Sequence, residues 1–396
     1  MDTRRFESSP MGHLTRLTGY DSFLDRPYDH FAFVPNPLPE ALGMSTRTVR
    51  LLSEAERALG RLDAASGRLP NPQLLVRPTL YREAVSTSAL EGTYALFQDV
   101  LESDFVDEVN RSQEVREVRN YVRAAAEGLR MIKTKPICVT ILKDLQAILV
   151  RGTRGDSFDS GSLRTGPVYI GERHRGIKAS RFVPPPPGEV LVEGMSDWEK
   201  WINADDDLPL LVKAALGHYQ FETLHPFSDG NGRLGRLVVV LQLIYDGALR
   251  YPILNISPWL EQRKDEYKDH LLHLSETGET DAWLQFFFQA VRHQSDDAVG
   301  RIERIVQIRN RMREALRDSR ARGVVLDIVD DLIGYPVITV PQAAQLHGVT
   351  YPPANGAIQK LVDLGFLTEI TGRNYGRVFV CREIMSAVEG PTPSPG

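Results

Sequence analysis

Between His225 and Arg236 the chain reads His-Pro-Phe-Ser-Asp-Gly-Asn-Gly-Arg-Leu-Gly-Arg, and most of those residue types have a use in phosphorus chemistry. Gly230, Asn231 and Gly232 stand just before an apolar run, Leu234 to Ile244, that reads as a helix. Glycines let a backbone turn tightly and approach a ligand closely. The free N–H groups of a helix start then form a cradle for phosphate. Arg233 and Arg236 are three residues apart, so they share one face of the first turn and offer two guanidinium groups to a polyphosphate. Asp229 is the one carboxylate of the loop, a hard oxygen ligand suited to Mg²⁺ (or Mn²⁺) held between protein and phosphates. His225, with an ordinary pKa of about 6.5, can accept a proton near neutrality. Together these parts describe transfer of a phosphorus group to a hydroxyl. The histidine deprotonates the nucleophile, while metal, arginines and backbone amides stabilise charge on the phosphates. Singly, each feature is ordinary; their conjunction within 225–236 is not.

The elements that must hold this run are mostly helical. Apolar residues recur at helical spacing over Ser45–Asp63, and further helices are expected over Arg77–Ser88, Val115–Ile132 and Ile141–Leu149. Beyond them helices are expected over Met195–Ala204, Leu208–Thr223, Arg233–Leu249, Pro258–Ser275 and Asp281–Arg320. Residues 1–30 are polar and mixed, and read as an irregular arm; Phe31–Pro39 is held extended by its prolines. Pro167–Ile170 and Arg181–Val183 read as a β-hairpin around a turn at Glu172–Lys178, ahead of the tetraproline Pro184–Pro187. Past a break at Ala321–Gly323 the pattern becomes helix, strand, helix, turn, helix, strand, turn, strand, the order of a winged helix-turn-helix. The fold class expected is mainly α with a β-hairpin, in three parts: a helical N-terminal region over 1–110, a catalytic region over 111–320 and a winged helix over 321–390.

The 396 residues exceed one ordinary core, and the 42% hydrophobic and 25% charged residues are a globular balance. A net charge of −5 gives no global attraction to nucleic acid or anionic membrane. Cys138 and Cys381 lie far apart and suggest neither metal site nor disulfide. No run of about 18 apolar residues predicts a membrane span, and no apolar run follows Arg4 and Arg5 as in a signal peptide. A reducing, cytoplasmic compartment fits this usage.

Residues 225–236 resemble the signature of Fic-domain proteins, His-x-Phe-x-(Asp/Glu)-Gly-Asn-Gly-Arg-x-x-Arg, at every fixed position. The resemblance implies an all-helical Fic core and transfer of AMP from ATP to a Ser, Thr or Tyr hydroxyl of a target protein, or of the chain itself. It assigns His225 as general base, Phe227 as core anchor and Asp229 as the Mg²⁺ ligand. Gly230, Asn231 and Gly232 would line the anion hole, and Arg233 and Arg236 would hold the β- and γ-phosphates. Thr87-Ser-Ala-Leu-Glu91-Gly92 fits the family's inhibitory motif (Ser/Thr)-x-x-x-Glu-(Gly/Asn). Glu91 would then occupy Arg236 and deprive the γ-phosphate of its partner; a related role, orienting water to remove AMP from the target, stays open. The 165–190 hairpin resembles the family's target-docking flap, where a strand edge can pair with the target backbone. Tyr267 resembles the adenine-side tyrosine, although Lys268 stands where relatives often carry a second Tyr. Look-alikes are commonly homodimers.

The competing reading is a DNA-binding regulator that uses the same core as a nucleotide sensor. Its proposed recognition helix, Pro353–Leu364, carries only Lys360 as a positive charge, and the wing adds Arg373 and Arg377. That is thin for an interface driven by phosphate contacts.

Overall fold

Two helices buried on nearly every side make the centre of the molecule. A computed structural model describes residues 1–21, 24–69, 71–105, 111–171, 176–373 and 375–390. In it, α7 (Leu210–Leu224) and α8 (Asn231–Tyr245) are buried along nearly their whole length. A helix without an exposed face has to sit inside others, and those others come from both directions of the chain. From the N-terminal side come α1 (Thr46–Ser66), α2 (Gln73–Leu90), the short α3 (Phe97–Glu102), α4 (Gln113–Met131) and α5 (Val139–Val150). After α6 (Glu189–Ile202) and the central pair come α9 (Ser257–Glu261), α10 (Lys264–Thr277) and the 39-residue α11 (Thr280–Asp318). Trp283 fastens α11 to α7, its indole N–H donating to the Ala215 carbonyl at 2.9 Å. Helix α1 lies along α11, and its start is fixed by Ser45, whose hydroxyl accepts from the Thr48 amide.

Three expectations need correction. Residues 1–30 are not an irregular arm, nor is the region up to 110 wholly helical. β1 (Gly12–Asp21) and β2 (Arg26–Pro35) form an antiparallel hairpin, in register from Gly12 opposite Pro35 to Asp21 opposite Arg26. Leu14 and Leu17 fall on opposite faces of β1, so no period-two stripe announced the strand. The hairpin base is buried in a second apolar cluster in which Phe6, Ala32 and Phe33 meet Phe182 and Val183. The expected 167–183 hairpin is reduced to a single antiparallel bridge, Ile170 with Phe182, and Val183 pairs instead with β2 through the Phe33 amide at 2.9 Å. Its expected turn at Glu172–Lys178 falls largely outside the described residues, which resume at Gly176. Finally, the helix expected over Pro258–Ser275 is two helices, broken at Gln262 and Arg263, where the Arg263 guanidinium stacks 4.3 Å from the centre of the Trp259 ring.

The C-terminal part runs α12 (Val325–Asp331), β3 (Val337–Thr339), α13 (Val340–His347), α14 (Tyr351–Asp363), β4 (Thr368–Glu369), β5 (Val378–Val380) and α15 (Arg382–Glu389). Its antiparallel sheet has the order β3-β5-β4. This part grips the first half of α2. Arg77 donates to the Gly334 carbonyl at 2.8 Å and lies 4.7 Å from the Tyr335 ring centre, while Arg82 donates to the Glu389 carbonyl at 2.9 Å. No helix among the described residues is long and apolar enough to cross a membrane.

Candidate functional site

The loop between α7 and α8 carries the motif. His225 caps α7 in the left-handed region, φ 48° and ψ 60°, with its amide donating to the Phe221 carbonyl at 2.9 Å. Its Nδ1 lies 3.3 Å from the Glu222 carbonyl. A carbonyl only accepts, so that contact puts the proton on Nδ1 and leaves Nε2 as the acceptor. Burial pushes the imidazole pKa down to about 4, and the Arg164 charge adds to the shift. The ring is therefore neutral at pH 7.

Phe227 is fully buried, as expected of an anchor. The Asn231 side chain is turned into the loop, which leaves only its backbone N–H to line an anion hole. Its side-chain oxygen accepts from the Phe227 amide at 2.9 Å and its NH₂ donates to the Phe227 carbonyl at 2.7 Å. The amide group is thus spent on bracing the loop. Gly230, at φ 85°, makes the turn into α8. The first N–H groups of that helix, from Asn231 and Gly232 onward, have no intrahelical partner.

The charged residues sort into two sets. Asp229 is half-exposed, and its Oδ1 takes a bond from Arg233 at 2.7 Å. A Cβ on Gly155 would stand 2.5 Å from the Asp229 carboxyl carbon, so only glycine fits against it. Buried Arg233 also reaches Glu117 at 3.3 Å, and Glu117 accepts from the Thr93 hydroxyl at 2.7 Å. Arg236 faces α2. Its Nε donates to the Thr87 hydroxyl at 2.7 Å, and its Nη2 donates to the Thr87 carbonyl at 3.2 Å and to Glu91 at 2.6 Å. Burial would raise the Glu91 carboxyl, but Arg236, with Arg233 and Lys268, holds it below its usual range. Burial would likewise lower Arg236, and Glu91 raises it instead. Glu91 lies over the helix start: a Cβ on Gly232 would be 2.2 Å from its Oε1.

Part of the motif borders a cleft of about 730 Å³, counting its open mouth, and Asp229, Gly230 and Asn231 are not in its lining. Glu91, His225, Gly232, Arg236 and Tyr267 all line it, while Arg233 points away toward Asp229 and Glu117. Tyr267 shares a 2.8 Å hydrogen bond with buried His218, whose pKa is pushed down to about 3 by burial and by Arg236. Lys268 lines the same cleft, and Ile170 and Phe182 bring the flap bridge to its rim.

Several residues here escaped the reading of the sequence. Glu222 lines the cleft three residues before His225, with one carboxylate oxygen lacking a hydrogen-bond partner among the described residues. Burial pushes its pKa up to about 7. Its i, i+3 spacing from His225 was the available signal. Glu117, His218 and Arg164 gave none, because their relation to the motif exists only in the fold. Among the described residues no cluster of three potential metal ligands occurs. The donor set at Asp229, one carboxylate with an oxygen left over from its Arg233 contact, suits Mg²⁺, which usually takes one or two carboxylates together with substrate phosphates.

Residues 49–130 match the family model for the Fic/DOC family N-terminal region, and residues 136–243 match that for the Fic/DOC family. The chain is similar to the protein adenylyltransferase fic-1 of Caenorhabditis elegans, 29% identical over 283 residues, covering 66% of this chain and 50% of the relative. It is also similar to the protein adenylyltransferase Fic of Culex quinquefasciatus, 27% identical over 314 residues, covering 72% of this chain and 58% of the relative. The chain spans about half the length of such curated relatives. A crystal structure of a Fic family protein from Desulfovibrio desulfuricans shares the fold, with a TM-score of 0.55 at 21% identity over 87% of this chain and 98% of that one.

Proposed function

We propose, from the premise that the chain belongs to the Fic/DOC family, that it transfers AMP from ATP to a hydroxyl side chain of a target protein, under restraint by Glu91. The hydroxyl oxygen attacks the α-phosphorus. A new P–O bond forms, the bond from that phosphorus to the α,β-bridging oxygen breaks, and pyrophosphate leaves. The hydroxyl proton passes to Nε2 of His225, which is neutral and faces the cleft. The N–H groups at the start of α8 and the Arg236 guanidinium take the charge of the phosphates. Asp229 would hold Mg²⁺, which supplies further charge neutralisation on the phosphates when bound. Tyr267, which lines the cleft, would stand beside the adenine.

The observation that carries the reading is the 2.6 Å contact between Glu91 and Arg236 beside a neutral His225. While Arg236 serves Glu91 and Thr87, it is not available to a γ-phosphate. A charge-assisted bond of this kind is worth about 1.5–3 kcal/mol. Its loss should raise apparent ATP affinity roughly ten- to a hundredfold. With [α-³²P]ATP and Mg²⁺ or Mn²⁺, Glu91→Gly should label protein far more strongly than wild type, and Glu91→Gly with His225→Ala should label none. Equal labelling by wild type and Glu91→Gly would remove the restraint from the account.

The parts proposed are an N-terminal region to residue 110, a catalytic region over 111–320 and a winged helix over 321–390. The order α12-β3-α13-α14-β4-β5 and the sheet order β3-β5-β4 support the last of these.

A further inference from the structure

Arg164 is 2% exposed, yet no carboxylate pairs with it among the described residues. A buried guanidinium without a counter-ion is costly, so its other partners have to account for it. Every one of them is a backbone carbonyl. Nε donates to His225 at 2.8 Å. Nη2 donates to Pro185 at 2.6 Å and to Leu224 at 3.3 Å, and Nη1 to Gly166 at 3.3 Å. The Arg164 amide adds a bond to the Pro226 carbonyl at 2.9 Å. Leu224 and His225 are the C-terminal end of α7, where the helix dipole favours a cation. Gly166 and Pro185 are the two roots of the flap segment that brings Ile170 and Phe182 to the cleft.

We propose that Arg164 is a positioning residue that holds His225 in its left-handed conformation and fastens it to both roots of the flap. Left-handed backbone is unfavourable for any residue with a Cβ, and His225 adopts it at φ 48°. Without a restraint on its carbonyl, the chain would relax and the imidazole would swing with it. The planar fork of an arginine can reach four carbonyls set around it, which the single ammonium of a lysine cannot do. The flap roots and the imidazole therefore move as one piece, so a segment docked on the flap is held in register with the group that takes its proton. The inference rests on the reading of His225 as the proton acceptor.

The test uses the full chain carrying Glu91→Gly, so that transfer is measurable, with Arg164→Met and Arg164→Lys added singly. Steady-state kinetics should show kcat falling roughly a hundredfold in Arg164→Met, the scale of a misplaced catalytic group, with KM for ATP nearly unchanged. Arg164→Lys should recover part of that loss. Independently of activity, the His225 imidazole should titrate higher in Arg164→Met than in its parent by NMR, because a neighbouring positive charge has gone. Unchanged kcat, an equal loss in kcat and ATP binding, or an unmoved His225 titration would each overturn the proposal. Should Arg164→Met not fold, Arg164→Lys decides alone: a folded lysine variant with full kcat sinks it, and a lowered kcat with unchanged KM supports it. If Glu91→Gly itself transfers no AMP, the proposed function fails, while the NMR titration still decides whether Arg164 acts on His225.

Discussion

His225 sits in an environment far from what its type suggests. An exposed histidine would be half protonated near pH 6.5; this one is pushed down to about 4 by burial and Arg164. Its base form should persist across pH 5–8, so transfer should show no acid limb from this residue in that range. NMR titration of the imidazole checks it directly. The same shift has a stability consequence. Between about 4 and about 6.5 the unfolded chain binds more protons at this position than the folded one. The contribution is complete above about 6.5 and is lost as pH falls toward about 4. His225→Asn should therefore flatten the Tm-versus-pH curve over that window. Two neighbours give further tests. Gly155→Ala should displace Asp229, because its Cβ would meet the carboxyl group, and should weaken transfer most at low Mg²⁺. Asn231→Ala removes both bonds that brace the loop on Phe227, and should cost about 1–3 kcal/mol in chemical denaturation. At this scale the sequence was legible where the chemistry is local: Asp229, Gly230 and Arg236 sit in the loop and helix start that their spacing implied, whereas Phe227 and Glu91 were picked out by resemblance. It was silent on Arg164 and Glu117, which reach the motif through tertiary bonds alone.

Helix α2 is the element on which the proposed restraint depends. Its last turn carries Thr87 and Glu91 onto Arg236, and its first half is clasped by the C-terminal part at Gly334, Tyr335 and Glu389. Between them Glu83, fully buried, accepts from the Ser257 amide and hydroxyl and ties α2 to the start of α9. Arg77→Ala removes the Gly334 contact, the Tyr335 stacking and the ion pair with Asp104. It should lower Tm and raise amide hydrogen exchange across 87–93, since loosening one end of a rigid helix loosens the other. Unchanged exchange there would show that the two ends are independent. Long amphipathic helices such as α1 and α4 were readable from their apolar spacing, to within a few residues. The β1–β2 hairpin was not, because few residues of either strand are buried and neither face is consistently apolar. The flap was over-read for the opposite reason. Its residues have strand character, but Val183 satisfies β2 rather than extending a hairpin of its own.

At the scale of the whole molecule, the proposed restraint makes the resting form more stable than the working one. Glu91 neutralises a buried arginine, and taking it away leaves Arg236 without its carboxylate partner. Glu91→Gly should therefore gain activity and lose stability together, by about 1–3 kcal/mol, read as a lower Tm in the absence of ATP. Excess ATP should restore part of that loss, because a ligand that binds only the folded form stabilises it. The central claim is the direction and identity of the transferred group. Glu91→Gly, incubated in parallel with [α-³²P]ATP and [γ-³²P]ATP and resolved by denaturing gel, tests it most directly. The account predicts protein-bound label from the α-phosphate only, absent when His225 is also replaced by Ala. Label carried from the γ-phosphate, or α-label that survives the loss of His225, would contradict it.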